Sequence, residues 1–216
     1  MKDILEKINL DTYIVSDLHL GHKTILDFEP TRFGQMKKDG FINHEEWLIH
    51  RWNSVVSDDD TVLCLGDFAF NNIDGYSKML KGNKILILGN HDSRTFKNKT
   101  KEWHVIDGMF IHKKNFIYKV LNDDVMFSCI IKELGNSRIL FSHYPVYNDN
   151  DIYQHRDEKI KKRIETFNEL FIKESCDLNI HGHLHSGTNS FFYSKSASIE
   201  NTNFQPIQLR ELLKLQ

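Results

Sequence analysis

The chain has 216 residues, 40% hydrophobic and 27% charged, with a formal net charge of −2. This is ordinary globular composition, enough for one sizeable core, and it lacks the strongly basic balance of a dedicated nucleic-acid binder. Three scattered cysteines (Cys64, Cys129, Cys176) form no Cys-x-x-Cys and read as reduced thiols of a cytoplasmic protein; no signal-like apolar stretch follows Met1, and no run nears the roughly 20 residues of a membrane span.

In chain order, residues 10–15 read as a first strand running into Ser16-Asp17-Leu18-His19-Leu20-Gly21-His22. Side chains alternate along an extended chain, so Asp17 and His19 point the same way and can share one cation. Residues 23–41 contain Pro30, Gly34 and Gly40 and read as a long loop with a short helical turn. Asn43 followed by Glu46 marks a helix start, and Leu48, Trp52, Val55 and Val56 give residues 44–56 amphipathic spacing. Asp58-Asp59-Asp60 is a solvated turn. Residues 61–65 are a near-continuous apolar run, the pattern of a strand covered on both faces, with Cys64 as a small buried hydrophobe. That run ends at Gly66-Asp67. A short helix is expected over 75–81, and residues 84–88 form another buried strand ending at Gly89-Asn90-His91-Asp92. The alternation predicts parallel strands with crossover helices.

The second half changes character. Residues 116–121 and 125–131 read as strands flanking a hairpin turn at Asn122-Asp123-Asp124. Residues 138–141 form a strand ending at Ser142-His143. Residues 157–173 are helical, with Ile160, Ile164, Phe167 and Phe171 on one face. Residues 178–180 form a short strand ending at His181-Gly182-His183-Leu184-His185, and 191–193 and 206–209 are late strand candidates. No repeat, low-complexity tract or linker interrupts the chain, so a single domain over 1–216 is expected.

Five apolar strands thus run into clusters of Asp, Asn or His. Loops at the carboxyl ends of parallel strands are where open α/β sheets build their sites. These ends supply Asp17, His19, Asp67, Asn90, His143, His183 and His185. The set is nitrogen and oxygen without sulfur. Its histidine content suits Mn²⁺, Fe²⁺, Zn²⁺ or Co²⁺ better than Mg²⁺ or Ca²⁺ alone. Seven donors exceed one tetrahedral ion. They suit two ions about 3.5–4 Å apart that share a carboxylate.

The ordered motifs Asp17-Leu18-His19, Gly66-Asp67, Gly89-Asn90-His91-Asp92, His143 and Gly182-His183-Leu184-His185 resemble those of the calcineurin-like metallophosphoesterases. Gly21-His22 makes the likeness greatest to small single-domain members of bacterial or phage type. The resemblance spans Asp17 to His185. It implies an α/β fold, a four-layer αββα sandwich of two mixed sheets with helices outside. It implies two divalent ions, with Mn²⁺ favoured over Fe, Zn, Co or Ni. Asp17, His19 and His185 would hold one ion, Asn90, His143 and His183 the other, and Asp67 would bridge them. A hydroxide between the ions would attack phosphorus in line. His91 would stand near the leaving group as general acid or transition-state stabiliser. Many members carry a further Asp three residues after the Gly-Asp carboxylate to orient this histidine. Phe70 occupies that place here, and Asp92 is the neighbouring carboxylate that could take over its role.

The other histidines carry no motif. His44 and His50 read as helix-surface residues, His104, His112 and His155 as uninvolved, and His181 as a strand-end residue. His22 is read evenly as a residue behind the ligands or facing substrate, or as one uninvolved in the site. Arg32, Arg94 and Arg156 are candidates to clamp phosphate, Arg94 foremost because it follows the Gly-Asn-His-Asp motif. The run from Asp157 to Arg163 is mixed in sign and reads as a solvated helix face.

The expected function is metal-dependent hydrolysis of a phosphomonoester or phosphodiester, on a small or nucleotide-like substrate. A nuclease is weakened by the near-neutral charge balance. A non-catalytic binding scaffold on the same fold would be expected to lose donors or His91, and none is lost. No membrane partner is expected.

Overall fold

Alternation along the strands decides the architecture, as seen in a computed structural model that describes residues 2–113, 116–120, 127–147, 157–187, 189 and 191–215. The elements are α1 (Lys2–Glu6), β1 (Tyr13–Val15), α2 (Ile25–Phe28), α3 (Pro30–Lys38), α4 (His44–Asn53), β2 (Thr61–Cys64), α5 (Ile73–Met79), β3 (Asn83–Ile87), β4 (Trp103–Ile106) and β5 (Met109–Lys113). They continue as β6 (Phe116–Val120), β7 (Cys129–Leu134), β8 (Ser137–Ser142), α6 (Glu158–Lys173), β9 (Leu178–His181), β10 (Ser194–Ser196), β11 (Ile207–Gln208) and α7 (Leu209–Leu212). The strands form two mixed sheets, ordered β11-β1-β2-β3-β4 and β10-β9-β8-β7-β5-β6. In the first, β1 to β4 are parallel and β11 runs against β1. In the second, β8, β9 and β10 are parallel, while β7 runs against β8 and β6 against β5.

Ile14, Leu63, Ile85 and Ile87 point to one face of the first sheet and meet Phe110, Ile130, Ile139, Phe141 and Ile180 of the second. Their sequence neighbours point the other way. Val15, Val62, Cys64 and Leu86 pack on Trp47, Leu48 and Trp52 of α4. Ile111, Cys129, Ile131 and Leu140 pack on Ile164, Phe167 and Phe171 of α6. Three apolar interfaces thus separate four layers, the αββα sandwich anticipated from the motifs. The inner strands β2 and β3 are covered on both faces, which is why residues 61–65 and 85–88 read as near-unbroken apolar runs.

Several expectations are corrected. Residues 23–41 are largely helical. Pro30 sits at the first helical position, where its missing N–H costs nothing. Gly40, at φ 81°, ends α3: its N–H donates to the Lys37 carbonyl and that of Phe41 to the Met36 carbonyl. The residues that suggested a loop are the start and stop signals of a helix. The strand at 116–120 pairs with β5 instead of β7, so the hairpin reading fails; its turn at Asn122-Asp123-Asp124 lies outside the described residues. β4 and β5 were hidden by polar residues: His104 is exposed on β4, the edge strand of its sheet. The strand expected at 191–193 lies at Ser194–Ser196 instead. α4 begins as expected, with Asn43 accepting from the Glu46 N–H at 2.8 Å. His44, read as a surface residue, is 6% exposed, because its side chain turns under the chain beside the buried Trp47. His50 is exposed.

Candidate metal centre

β1, β2 and β3 of the first sheet and β8 and β9 of the second all end at one edge of the sandwich. Asp17 and His19 follow β1, Asp67 follows β2, Asn90 follows β3, His143 follows β8, and His183 and His185 follow β9. The backbone has to turn hard there. Asp17, His19, Asp67, His183 and His185 all lie at positive φ, between 51° and 72°. That region costs non-glycine residues of order 1–3 kcal/mol each and persists only where the surroundings over-determine it. Here they do. The N–H groups of Asp17 and His19 donate to the carbonyls of Gly66 and Asp67 at 3.0 and 2.9 Å. Asp92, buried, accepts from the N–H groups of Asp67, Phe68 and Gly89 at 2.8, 3.1 and 2.9 Å. Gly89 permits a close approach that no side chain would: a Cβ there would lie 2.2 Å from Asp67 Oδ1.

All seven expected side chains converge. His19 Nε2 lies 3.1 Å from His185 Nε2 and 3.5 Å from Asp67 Oδ2, and His185 Nε2 lies 3.9 Å from Asp17 Oδ1. Asn90 Oδ1 lies 2.8 Å from His143 Nε2 and 3.0 Å from His183 Nδ1. His143 Nε2 lies 3.6 Å from Asp67 Oδ2. The Asp67 carboxylate therefore stands between two donor sets. Asp17, His19 and His185, and likewise Asp17, Asp67 and His143, present ligand atoms within 4.8 Å of one another.

The donor chemistry fits cations. His143 Nδ1 lies 2.8 Å from the Leu65 carbonyl, which can only accept, so Nδ1 carries the proton and Nε2 is bare. Bare Nε2 then faces the Asn90 carbonyl oxygen at 2.8 Å, acceptor against acceptor. A second proton on the ring is opposed by burial, which holds His143 below the usual imidazole range. A positive ion held by the two atoms would resolve the contact. Without one, the carboxylates are unevenly charged. Burial opposes ionisation of Asp17, but His143, His185 and His19, with the Ser198 hydroxyl at 2.8 Å, outweigh it and hold Asp17 below its ordinary range. Burial, with Asp92 and Asp17 nearby, pushes Asp67 well above that range. Burial, only partly offset by Asp17, lowers His19 to about 2. Asp92 is pushed up to about 6 by burial, against its three backbone donors.

Four residues outside the expected ligand set complete the centre. Arg32, fully buried, donates from Nε and Nη2 to Glu200 Oε1 at 2.7 and 2.5 Å, from Nη1 to the Leu18 carbonyl at 3.0 Å and from Nη2 to the Asp17 carbonyl at 2.6 Å. Glu200 Oε1 is 3.2 Å from His185 Nδ1, which leaves His185 Nε2 as the ring's lone-pair nitrogen toward the site. The third is Ser198, on Asp17, and the fourth is Asp92, bound to backbone. Arg32 is thus a buried brace and does not clamp phosphate. Arg94 is exposed. Arg156 and His155 lie outside the described residues. Asp92 does not reach the His91 ring. That ring packs instead against Phe70 and His19, with centroids 5.2 and 5.4 Å away, and the His91 N–H donates to Asp67 Oδ1 at 2.8 Å. His181 is buried with Nδ1 2.7 Å from the Gly182 carbonyl.

Among the described residues no helix is long and apolar enough to cross a membrane. The chain is 28% identical over 188 residues to the Gene 66 protein of Mycobacterium phage L5, covering 82% of this chain and 78% of that one. It is 30% identical over 117 residues to the uncharacterized protein MJ1445 of Methanocaldococcus jannaschii, covering 52% of this chain and 63% of that one. The crystal structure of the protein of unknown function AQ665 from Aquifex aeolicus superposes with a TM-score of 0.67 at 28% identity, covering 95% of this chain and 98% of that chain. The model of the family described as calcineurin-like phosphoesterase matches residues 10–187, a stretch that contains every strand end described above. The chain belongs to the calcineurin-like phosphoesterases, a family of metal-dependent phosphoester hydrolases.

Proposed function

We propose that the chain, working as a single cytoplasmic domain, hydrolyses a small, nucleotide-like phosphomonoester or phosphodiester. Asp17, His19 and His185 would hold one divalent ion, and Asn90, His143 and His183 a second, with Asp67 available to either. The observation that carries this reading is the Asp67 carboxylate, 3.5 and 3.6 Å from histidine nitrogens of the two donor sets. A histidine-rich N/O set favours Mn²⁺, with Fe, Zn, Co or Ni as alternatives. When bound, two such ions supply Lewis-acid activation of water and offset charge on the phosphoryl oxygens.

The chain's own residues do the rest. Asp92 holds the turn that aims Asp67, and Arg32 with Glu200 holds the backbone of Asp17 and the ring of His185. His91, exposed beside Phe70, supplies a proton at the leaving-group oxygen. Partial burial of the ring and the neighbouring His22 and His185 lower its affinity for that proton, which makes the imidazolium a stronger acid. Hydrolysis of p-nitrophenyl phosphate, bis-p-nitrophenyl phosphate and cyclic nucleotides by the protein reconstituted with Mn²⁺, compared with chelated protein, tests the reading. Turnover that depends on metal is expected. Failure of the reconstituted protein on every ester would leave a non-catalytic scaffold as the better account.

A further inference from the structure

A row of aromatic rings leads away from the metal centre toward solvent, and none of it is needed to hold an ion. Phe70 lies 5.6 Å from His19 and 5.2 Å from His91, ring centre to ring centre. His22 stands 4.4 Å from Phe70 at an interplanar angle of 83°, and Phe28 stands 6.1 Å beyond His22 at 68°. Phe70 is 40% exposed and Phe28 71%, with His22 half-buried between them. Exposed apolar side chains scattered singly are ordinary, whereas a contiguous aromatic row beside a site marks a surface for a ligand or partner.

The row is held in place. The Phe70 N–H donates to the Leu20 carbonyl at 2.9 Å, and Asn71 Nδ2 donates to the Gly21 carbonyl at 3.0 Å. The Thr24 N–H donates to His22 Nδ1 at 3.3 Å, so the proton of neutral His22 is on Nε2, a donor at the centre of the row. Where many members carry that orienting carboxylate, Phe70 offers an aromatic face beside the His91 ring.

We propose that Phe70, His22 and Phe28 form the subsite for the nucleobase of a small nucleotide whose phosphate lies at the metal centre. This rests on the phosphohydrolase reading for the position of the phosphate. A planar base tethered to that phosphate reaches the row, which begins at the ligand His19. Base stacking on aromatic side chains contributes about 1–3 kcal/mol per base, roughly 5- to 150-fold in affinity. The net charge of −2 gives no support for a long polynucleotide track, so the occupant is a mononucleotide unit.

The test is equilibrium binding to the Mn²⁺-loaded protein of the methylenephosphonate analogue of AMP, which cannot be hydrolysed, against the same sugar phosphonate lacking the base. The wild type should bind the base-bearing ligand at least about fivefold more tightly. Phe28→Ala and Phe70→Ala should each erode that margin, and Phe28→Trp should keep it. Equal affinities in the wild type, or a margin untouched by both alanine variants, would overturn the subsite. So would a dimer in sedimentation that Phe28→Ala dissolves while no base preference is seen, since a second copy would then cover the rings. Hydrolysis is scored separately. A base margin without turnover of any ester sinks only the phosphohydrolase reading, and turnover without a margin sinks only the subsite.

Discussion

Replacing Arg32 by Met tests how the centre is held. The guanidinium is fully buried, and its partner Glu200 is 3% exposed. Removing it leaves Glu200 as a buried carboxylate whose Oε2 already has no hydrogen-bond partner among the described residues. It also frees the carbonyls of Asp17 and Leu18, which accept at 2.6 and 3.0 Å. Breaking a buried pair by deleting one partner costs about 3–5 kcal/mol, because the surviving charge is left uncompensated. In a chain of this size each kcal/mol moves the midpoint about 2–4 °C, so a fall on the order of 10 °C is expected. Urea denaturation of the metal-free protein reads the energy directly. The double variant Arg32→Met/Glu200→Leu should recover most of the loss, since an apolar pair of similar volume replaces a buried ion pair at little cost. Metal titration gives a second readout: with Glu200 no longer anchored beside His185, affinity at the Asp17/His19/His185 position should drop about 10- to 100-fold. A loss below about 1 kcal/mol, or a double variant no better than the single, would show that solvent already reaches the pair and that the brace is not structural.

Three further outcomes are expected. His91→Ala should cut turnover by about 10²–10⁴-fold while metal content by elemental analysis stays unchanged; loss of metal would mean that His91 is a ligand. Gly89→Ala would put a Cβ 2.2 Å from Asp67 Oδ1, so Asp67 must move, and elemental analysis should find less bound metal although the circular dichroism spectrum is retained. His44 is held below the usual imidazole range by burial, which outweighs the opposing pull of Glu45, 3.9 Å away. Its contribution to stability is therefore full above the unfolded value near 6.5 and is lost as pH falls through the lowered folded value, by up to about 1.4 kcal/mol per pH unit. Denaturation of metal-free His44→Leu between pH 7 and 5.5 should show a shallower slope than the wild type, and an equal slope would contradict the assignment.

The seven converging side chains were legible because each lies just past the end of an apolar strand; the left-handed turns that aim Asp17 and His19, in place of the strand alternation expected of them, were not. The layers were legible for a similar reason: residues 61–65 and 84–88 advertise burial on both faces. What was hidden depends on meetings across the chain. Glu200 lies 168 residues from Arg32, and nothing near either announces the other. Ser198 reaches Asp17 only because the segment after β10 crosses from the second sheet to the first, where Ser16 bridges Ser198. Asp92 looked like a partner for His91 because it is adjacent, yet its carboxylate is drawn the other way by three backbone donors. Residues 23–41 misled because Pro and Gly serve both loops and helix ends, and only the bonds at Gly40 distinguish the two.

Each of the two donor sets draws on both sheets: His185 joins Asp17 and His19, and His143 and His183 join Asn90. An ion held there would crosslink layers otherwise joined at that edge by apolar contact and a few hydrogen bonds. Neither sheet could complete a coordination shell by itself. Metal uptake therefore reports that the two halves have docked in register, and a chain misassembled by one strand position would be recognisable by its inability to load. Chelation, by the same reasoning, should loosen the sandwich first at this edge, well before its far end gives way.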